Sequence, residues 1–230
     1  MKNFIVKGNI CTSRSPKEIE TISGYVVCEN GVSRGIFQEI PQKYKDFFVY
    51  DHGDCLVIPG MVDLHIHAPQ YTFRGMGMDY ELMDWLDAQT FPEEAKYADT
   101  EYAKEAYTIF ADRMQKSATT RACIFATRHR EATEVLMDLM ERSGLVSYVG
   151  KVNMDRSAPE GLAEESADMS AFDTFGWLND IWGKYERTKP ILTPRFIPSC
   201  TDELMEELRE IQRAYHLPVQ SHLSENPGEI

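Results

Sequence analysis

The chain has 230 residues, a formal net charge of −13, 43% hydrophobic residues and 27% charged residues; this ordinary globular composition argues against a disordered or fibrous protein. The excess of acidic residues argues against the basic surfaces that bind nucleic acids or anionic membranes, so the expected partner is a small molecule. No apolar run reaches the roughly 18 residues of a membrane span, and the first residues lack the apolar segment of a signal peptide, so the expected location is the cytoplasm.

Residues 1–60 carry short runs of β-forming residues separated by turn residues. The Asn30-Gly31 pair predicts a hairpin, because both central positions of a type I′ turn require positive φ angles. We therefore expect a small antiparallel β-rich domain over residues 1–60. Its strands would include residues 4–6, 24–28, 31–37 and 55–58.

From residue 61 onward, short apolar runs alternate with longer segments of helical periodicity, which predicts βα units and a parallel sheet over residues 61–230. Thr100 and Thr201 are expected to cap helices, and Gly144 is expected to end one. Such a pattern fits either a doubly wound sheet or the first part of a (β/α)8 barrel, and no G-x-G-x-x-G or Walker sequence favours the nucleotide-binding sheet. The expected strands are residues 61–68, 120–127, 146–152, 191–197 and 217–223.

The first of these strands contains two histidines, His65 and His67. Alternation along a strand places Asp63, His65 and His67 on one face. In a parallel barrel both imidazoles would face the interior at the C-terminal end of the strand, where barrel enzymes build their sites. Two imidazole nitrogens suit zinc, and the alternative is a packed or exposed pair without a metal. His129, after the second strand, would either line the same cavity or lie in a surface loop.

The stretch from Pro59 to His67 resembles the P-G-hydrophobic-V-D-x-H-x-H opening of the amidohydrolase superfamily. The resemblance implies an α/β fold, a metal-bearing (β/α)8 TIM barrel of which residues 61–230 would carry strands one to five. It also implies a small β-sandwich, whose first part residues 1–60 would form. In that superfamily a further metal-site histidine ends strand five, and His222 occupies this place. Taken alone, His222 would be a structural histidine with satisfied hydrogen bonds.

Glu225 follows His222 in an H-x-x-E pattern that resembles the purine and pyrimidine deaminases of this superfamily. There the glutamate is not a metal ligand but moves protons, and the histidine beside it belongs to the catalytic and substrate-binding site. Deamination needs such an acid, because a ring nitrogen must be protonated and ammonia must leave with an added proton. The alternative is a solvated glutamate in the first turn of a helix.

Two further segments, residues 67–71 and 193–196, resemble the substrate pocket of guanine deaminases. The resemblance implies substrate-binding roles for Gln70, Arg195 and Phe196. An amide suits the purine edge, a guanidinium suits the O6 carbonyl, and an aromatic ring lines or stacks on the base. Otherwise, an arginine near a strand end is most often a surface charge.

For activity, the resemblance implies hydrolysis of guanine to xanthine and ammonia, a step of purine catabolism. The enzyme would be a homodimer with one zinc ion per subunit, or iron in its place, held by His65, His67 and His222. One alternative is an amidohydrolase that acts on another heterocycle, such as a modified purine, a pterin or a triazine. Another is a non-catalytic remnant of the fold, which need not retain zinc.

The superfamily also places a histidine on strand six and an aspartate on strand eight, and Ile230 precedes both. Five strands would leave both edges of an otherwise buried parallel sheet open. We therefore expect these 230 residues to be part of a longer protein, and the printed chain alone need not be active.

Overall fold

The computed structural model describes residues 3–230, which form two compact units that divide after Gly60. The first unit is one four-stranded sheet with the order β3-β2-β1-β4. Its small core is built around Ile5, Val27 and Tyr44. The strands are β1 (Phe4–Ser15), β2 (Glu18–Glu29), β3 (Val32–Phe37) and β4 (Phe48–Val57).

This sheet is mixed, which corrects the expectation of an antiparallel unit. Strands β1, β2 and β3 pair antiparallel, but β4 returns through a long connection and runs parallel to β1. The predicted hairpin is present, with φ angles of 55° at Asn30 and 77° at Gly31. The sequence-based prediction did not include the part of β1 after residue 6. Residues there such as Asn9 and Thr12 are polar, and backbone pairing instead of burial holds them in the strand. The described residues of this unit form one sheet layer.

The second unit contains a parallel sheet in the order β5-β6-β7-β9, as expected for βα units. A short parallel pair, β8 with β10, continues two of these strands. The strands are β5 (Met61–His67), β6 (Thr119–Phe125), β7 (Val146–Gly150), β8 (Val152–Asn153), β9 (Thr188–Pro190) and β10 (Thr193–Pro194).

The fourth and fifth predicted strands are less regular than expected. Residues 191–197 are interrupted, and residues 217–223 form only the isolated parallel bridges Leu192↔Val219 and Phe196↔His222. Prolines at positions 190, 194 and 218 explain the interruptions, because proline has no N–H to give to a ladder. The backbone still follows the sheet: Gln220 N donates to Leu192 O at 2.9 Å.

Helices connect these strands and cover the sheet. Asp99 caps α3 in place of the predicted Thr100, because its carboxylate accepts from the N–H groups of Glu101 and Tyr102. Thr201 caps α6 and Gly144 ends α4, as predicted. The helices are α1 (Leu82–Trp85), α2 (Phe91–Ala95), α3 (Thr100–Gln115), α4 (Arg130–Ser143), α5 (Ala167–Ile181) and α6 (Asp202–Tyr215).

The main core lies between the parallel sheet and the longer helices. Ile124 of β6 is fully buried, and Phe110, Leu136, Trp177 and Leu204 bring one side chain each from α3, α4, α5 and α6. Burial of side chains of this size stabilises the unit by about 1.5 to 3 kcal/mol each. Because the strands are parallel, their C-terminal ends lie at one edge of the sheet. No helix among residues 3–230 combines the length and apolar character that a membrane crossing requires.

Candidate active site

Three histidines meet at the C-terminal edge of the parallel sheet. His65 and His67 come from β5, and His222 comes from the segment bridged to Phe196. One ring nitrogen from each lies within 4.8 Å of the other two. The Nε2 atoms of His67 and His222 are 2.9 Å apart. The structure therefore brings together the three residues that the sequence singled out as metal ligands.

The ring of Phe125, at the end of β6, contacts all three imidazoles and is fully buried. It stacks on His67 with ring centroids 4.5 Å apart, meets His65 edge-on at 4.9 Å, and lies tilted against His222 at 4.5 Å. Phe125 is also the register partner of His67 in the neighbouring strand. Sequence reasoning missed this residue, because an apolar side chain at a strand end looks like ordinary core.

The ring orientation of His222 is set by the backbone of Arg195. The carbonyl oxygen of Arg195 accepts from His222 Nδ1 at 2.6 Å and from the His222 backbone N–H at 3.0 Å. A carbonyl has no proton to give, so the Nδ1 atom carries the hydrogen and Nε2 presents its lone pair. Such a bond behind a ligand fixes the tautomer that metal binding requires.

Electrostatics also favour neutral imidazoles here. Burial, followed by the positive charge of Arg195 and the neighbouring histidines, lowers the pKa of His67 well below its ordinary value. Burial lowers the pKa of His222 as well, although its bond to the Arg195 carbonyl and the charge of Glu225 oppose the shift. Neutral imidazole is the metal-binding form.

These residues fit a metal ion. Three imidazoles converge, and burial favours the neutral, metal-binding form of His67 and His222. His67 Nδ1 is buried without a hydrogen-bond partner among the described residues. Three imidazole nitrogens with one position left open are a donor set that suits zinc.

A cavity of about 500 Å³ opens over the three histidines. The predicted substrate residues Gln70, Arg195, Phe196 and Glu225 all line it, and its volume is in the range of small-molecule sites. The remaining wall is largely apolar. It consists of Ile66, Tyr71, Arg74, Met78, Leu82, Trp85 and Leu86.

Gln70 lies in a 3-10 helix, Pro69–Phe73, that directly follows β5 and is partly buried. Two bonds brace this helix: Thr72 Oγ1 donates to Glu93 Oε1 at 2.7 Å, and the Tyr97 hydroxyl donates to the Pro69 carbonyl at 3.2 Å. A short segment braced in this way holds the Gln70 amide at a fixed place in the cavity that the three histidines also line.

Phe196 and Glu225 lie on opposite sides of His222 in the chain and differ in burial. Phe196 is 8% exposed and forms the parallel bridge to His222. Glu225 is exposed and follows Ser224, whose φ of 57° turns the chain sharply after the histidine. The turn places a carboxylate on the cavity wall, where it remains open to solvent.

Arg195 is 3% exposed, so the surface-charge alternative is wrong. Its guanidinium forms a two-point ion pair with Glu94 of α2: Nη1 to Oε2 is 2.5 Å and Nη2 to Oε1 is 3.3 Å. The guanidinium also lies 5.2 Å from the centroid of the Phe91 ring. Sequence reasoning missed Glu94, because acidic residues in the first turn of a helix are common without any such partner.

His129 does not line the cavity over the histidines. It precedes α4, and its Nε2 atom is buried without a hydrogen-bond partner among the described residues. Burial, with the charges of Arg128 and Lys151, lowers the pKa of His129 to about 4. Of its two predicted places, the cavity wall is therefore wrong.

A histidine cluster beside a small-molecule cavity, at the C-terminal ends of parallel strands, is typical of metal-dependent hydrolases. Residues 56–230 match the Amidohydrolase family, and the chain belongs to that family.

More specifically, the chain is similar to guanine deaminases. It is 42% identical to guanine deaminase from Dictyostelium discoideum over 183 residues, which are 79% of this chain and 40% of the relative. It is 41% identical to guanine deaminase from Homo sapiens over 174 residues, which are 75% of this chain and 38% of the relative.

The structure resembles a crystal structure of guanine deaminase from C. acetobutylicum with bound guanine in the active site. The TM-score is 0.93 at 42% sequence identity, and the match covers 99% of this chain and 54% of the other. The chain thus spans about half, or less, of the length of the relatives that it matches.

Proposed function

We propose that this chain carries the N-terminal part of a zinc-dependent enzyme that hydrolyses guanine to xanthine and ammonia. The observation that carries the proposal is one cavity lined by the three converging histidines together with Gln70, Arg195, Phe196 and Glu225. Similarity to a guanine deaminase crystallised with guanine supports the choice of substrate.

In this proposal, His65, His67 and His222 hold the zinc ion. The bound ion supplies a Lewis acid that makes a water molecule nucleophilic near neutral pH. The Arg195 carbonyl keeps His222 in its ligand tautomer, and Phe125 keeps the three rings from turning away.

Glu225 is proposed to move protons. Its carboxylate is on the cavity wall and close enough to His222 to act on the pKa of that imidazole. A carboxylate there takes a proton from the attacking water and passes it to a ring nitrogen of the base; it then takes the second proton, from the added hydroxyl, and gives it to the amine, which leaves as ammonia while the carbonyl forms. His222 lines the same cavity and is proposed to contribute to both the catalytic and the substrate-binding site.

The base is proposed to lie against Phe196, with the Gln70 amide on its edge and the Arg195 guanidinium on its 6-oxo group. The amide has donors and an acceptor, and the guanidinium has only donors, so their order along the base fixes its orientation. We further propose that the full-length enzyme closes a (β/α)8 barrel and acts as a cytoplasmic homodimer in guanine catabolism.

The test uses the full-length enzyme, with zinc content measured by elemental analysis and ammonia release measured on guanine, adenine, pterin and a triazine. We expect about one zinc ion per subunit and guanine as the preferred substrate. Preference for another heterocycle would make that compound the substrate of the enzyme in place of guanine. A purified protein without metal or activity would contradict the proposed function.

His222→Ala should lose both zinc and turnover. The matched control is His52→Ala, which removes an exposed histidine of the first unit and should change neither. Retention of full zinc content in His222→Ala would remove this residue from the metal site.

A further inference from the structure

Glu94 is paired with Arg195, which lines the cavity. It is absent from the cavity wall, yet its side chain is 1% exposed and lies directly behind the guanidinium. Burying a carboxylate is costly unless its charge is paired. The pair with Arg195 therefore explains why an acidic residue is tolerated in this part of the core, and it gives Glu94 a direct effect on how Arg195 presents its donors.

The ion pair fixes the orientation of Arg195. Two of the guanidinium's N–H groups point at the two Glu94 oxygens, and one face of the group lies toward the Phe91 ring. A planar guanidinium has five N–H groups in a rigid fork, so binding two of them sets the direction of the other three. A ligand in the cavity meets donors that are already oriented.

The ion pair also offsets the positive charge of Arg195, because the guanidinium and the Glu94 carboxylate together carry no net charge. A cavity that holds a divalent cation and an unpaired guanidinium would strongly favour anions, because buried charges interact through a low dielectric constant. With a carboxylate oxygen at 2.5 Å, the Arg195–Glu94 pair is neutral as a whole, while Arg195 still offers its remaining donor groups. Donor groups whose positive charge is offset by a neighbouring carboxylate suit a neutral carbonyl better than an anionic oxygen.

We propose that Glu94 is a positioning residue that sets specificity: through Arg195 it makes the cavity select neutral 6-oxopurines over anionic ones. The proposal rests on the proposed function, in which Arg195 binds the 6-oxo group. Deamination replaces an amine with a second carbonyl, and the resulting dioxopurine loses a proton more readily than guanine does. Glu94 therefore also weakens retention of the ionised product.

The test compares the KM for guanine with the inhibition constant for urate, an anionic oxopurine, in the full-length zinc enzyme. In Glu94→Gln, Arg195 loses its charge partner and its fixed direction. We expect the KM for guanine to rise about tenfold, as for loss of one oriented charged hydrogen bond, while urate binds more tightly than to the parent enzyme. Inhibition by xanthine should strengthen most above the pKa of xanthine.

Glu94→Asp separates the two effects and guards against failure of the first variant to fold. The shorter carboxylate keeps the charge but not the two-point geometry, so guanine binding should weaken without any gain in urate binding. If Glu94→Gln does not tighten urate binding, or if Glu94→Asp leaves guanine binding unchanged, Glu94 does not act through Arg195 and the proposal is overturned.

The matched control is Glu164→Gln, which breaks a second buried ion pair, with Lys151 at 2.6 Å, that does not line the cavity. It should lower the unfolding temperature and leave the ratio of the two constants unchanged. A shift of that ratio in this control as large as in Glu94→Gln would make the Glu94 effect merely structural.

Failure of this inference is distinguishable from failure of the proposed function. Arg195→Ala should raise the KM for guanine much more than the KM for 2-aminopurine, which lacks the 6-oxo group. Equal increases would contradict the proposed role of Arg195 itself. A selective increase in Arg195→Ala, combined with an unchanged urate constant in Glu94→Gln, would overturn only the role of Glu94.

Discussion

At the scale of single residues, the apolar ring of Phe125 supports the three histidines of the site by packing against them. It fills the space against which His65, His67 and His222 pack, so it limits the rotamers of all three. Groups behind metal ligands commonly affect metal affinity by about 10- to 100-fold. Here the group is a hydrocarbon ring and acts through packing alone.

Phe125→Leu should therefore weaken zinc binding by about tenfold or more while the chain remains folded. Leucine preserves the apolar character of the site but cannot stack on an imidazole. Competition with a zinc chelator measures the affinity, and Phe37→Leu, whose ring packs against Tyr44 in the first unit, is the control. An unchanged zinc affinity in Phe125→Leu would mean that the backbone alone orients the histidines.

Glu225→Gln should separate metal binding from catalysis in the full-length enzyme. Glutamine keeps the size and hydrogen bonding of the side chain but cannot accept and return a proton. Turnover of guanine should fall by about 10² to 10⁴, the usual scale for a general acid or base, and the zinc content should persist. Loss of zinc would instead make Glu225 a ligand, and normal turnover would place the proton transfer elsewhere.

At the scale of elements, β7 and the chain near β10 approach each other closely at Gly150. A Cβ atom at this position would lie 2.7 Å from the Ile191 carbonyl oxygen and 2.9 Å from Thr193 Cβ. Both of these atoms belong to rigid parts of the chain. The approach fixes the segment that leads directly to Arg195, so the spacing of two strands determines where the proposed substrate donor lies.

Gly150→Ala should destabilise the second unit by about 1 to 3 kcal/mol, the usual cost of overpacking. Urea unfolding measures the loss. Gly228→Ala, in an exposed turn, is the control and should change the free energy of unfolding by less than about 0.5 kcal/mol. Equal stability of the parent and Gly150→Ala would show that the strands separate without cost.

Local patterns predicted β5 and the helix α6 well, because alternation and helical periodicity depend only on neighbouring residues. His65 and His67 fall on one face for this reason. These patterns did not predict the breaks at Pro194 and Pro218, where the expected strands contain residues that cannot donate to the ladder. Nor did they predict the cap of α3, since Asp99 and Thr100 are both good capping residues and only the backbone path selects between them.

Contacts between residues that are far apart in the chain could not be predicted from local sequence patterns at all. Glu94 and Arg195 are separated by 101 positions, and no local pattern links a helix-starting glutamate to an arginine after a strand. His222 was expected at the site only through family resemblance. Its burial against Phe125 depends on the path of an irregular segment, and that path is visible only in the folded chain.

At the scale of the whole molecule, the partly buried His129 connects stability to pH. Burial, with the charges of Arg128 and Lys151 and against that of Glu131, lowers the pKa of His129 to about 4 in the folded chain. In the unfolded chain its pKa is about 6.5. The unfolded state therefore binds more protons between these values, so this contribution to stability is present above about pH 6.5 and is lost as the pH falls toward 4.

His129→Gln should flatten the fall in the free energy of unfolding over this acid range. The slope should decrease by at most about 1.4 kcal/mol per pH unit, which corresponds to one proton. Urea unfolding at several pH values measures it. His52→Ala, an exposed site, is the control, and an equal slope in His129→Gln and the parent would show that His129 titrates normally in the folded chain.

The Arg195 carbonyl accepts two hydrogen bonds from His222, and this limits how the site can change in evolution. Arg195 carries the proposed substrate donor on its side chain and holds His222 at two points through its carbonyl oxygen. A new substrate preference that moves the backbone of Arg195 would also displace His222 and therefore the proposed metal site. Preferences should therefore drift through side chains that leave this backbone in place, such as Gln70, Phe196 and Glu94, and insertions or deletions within residues 193–196 should be absent from active descendants.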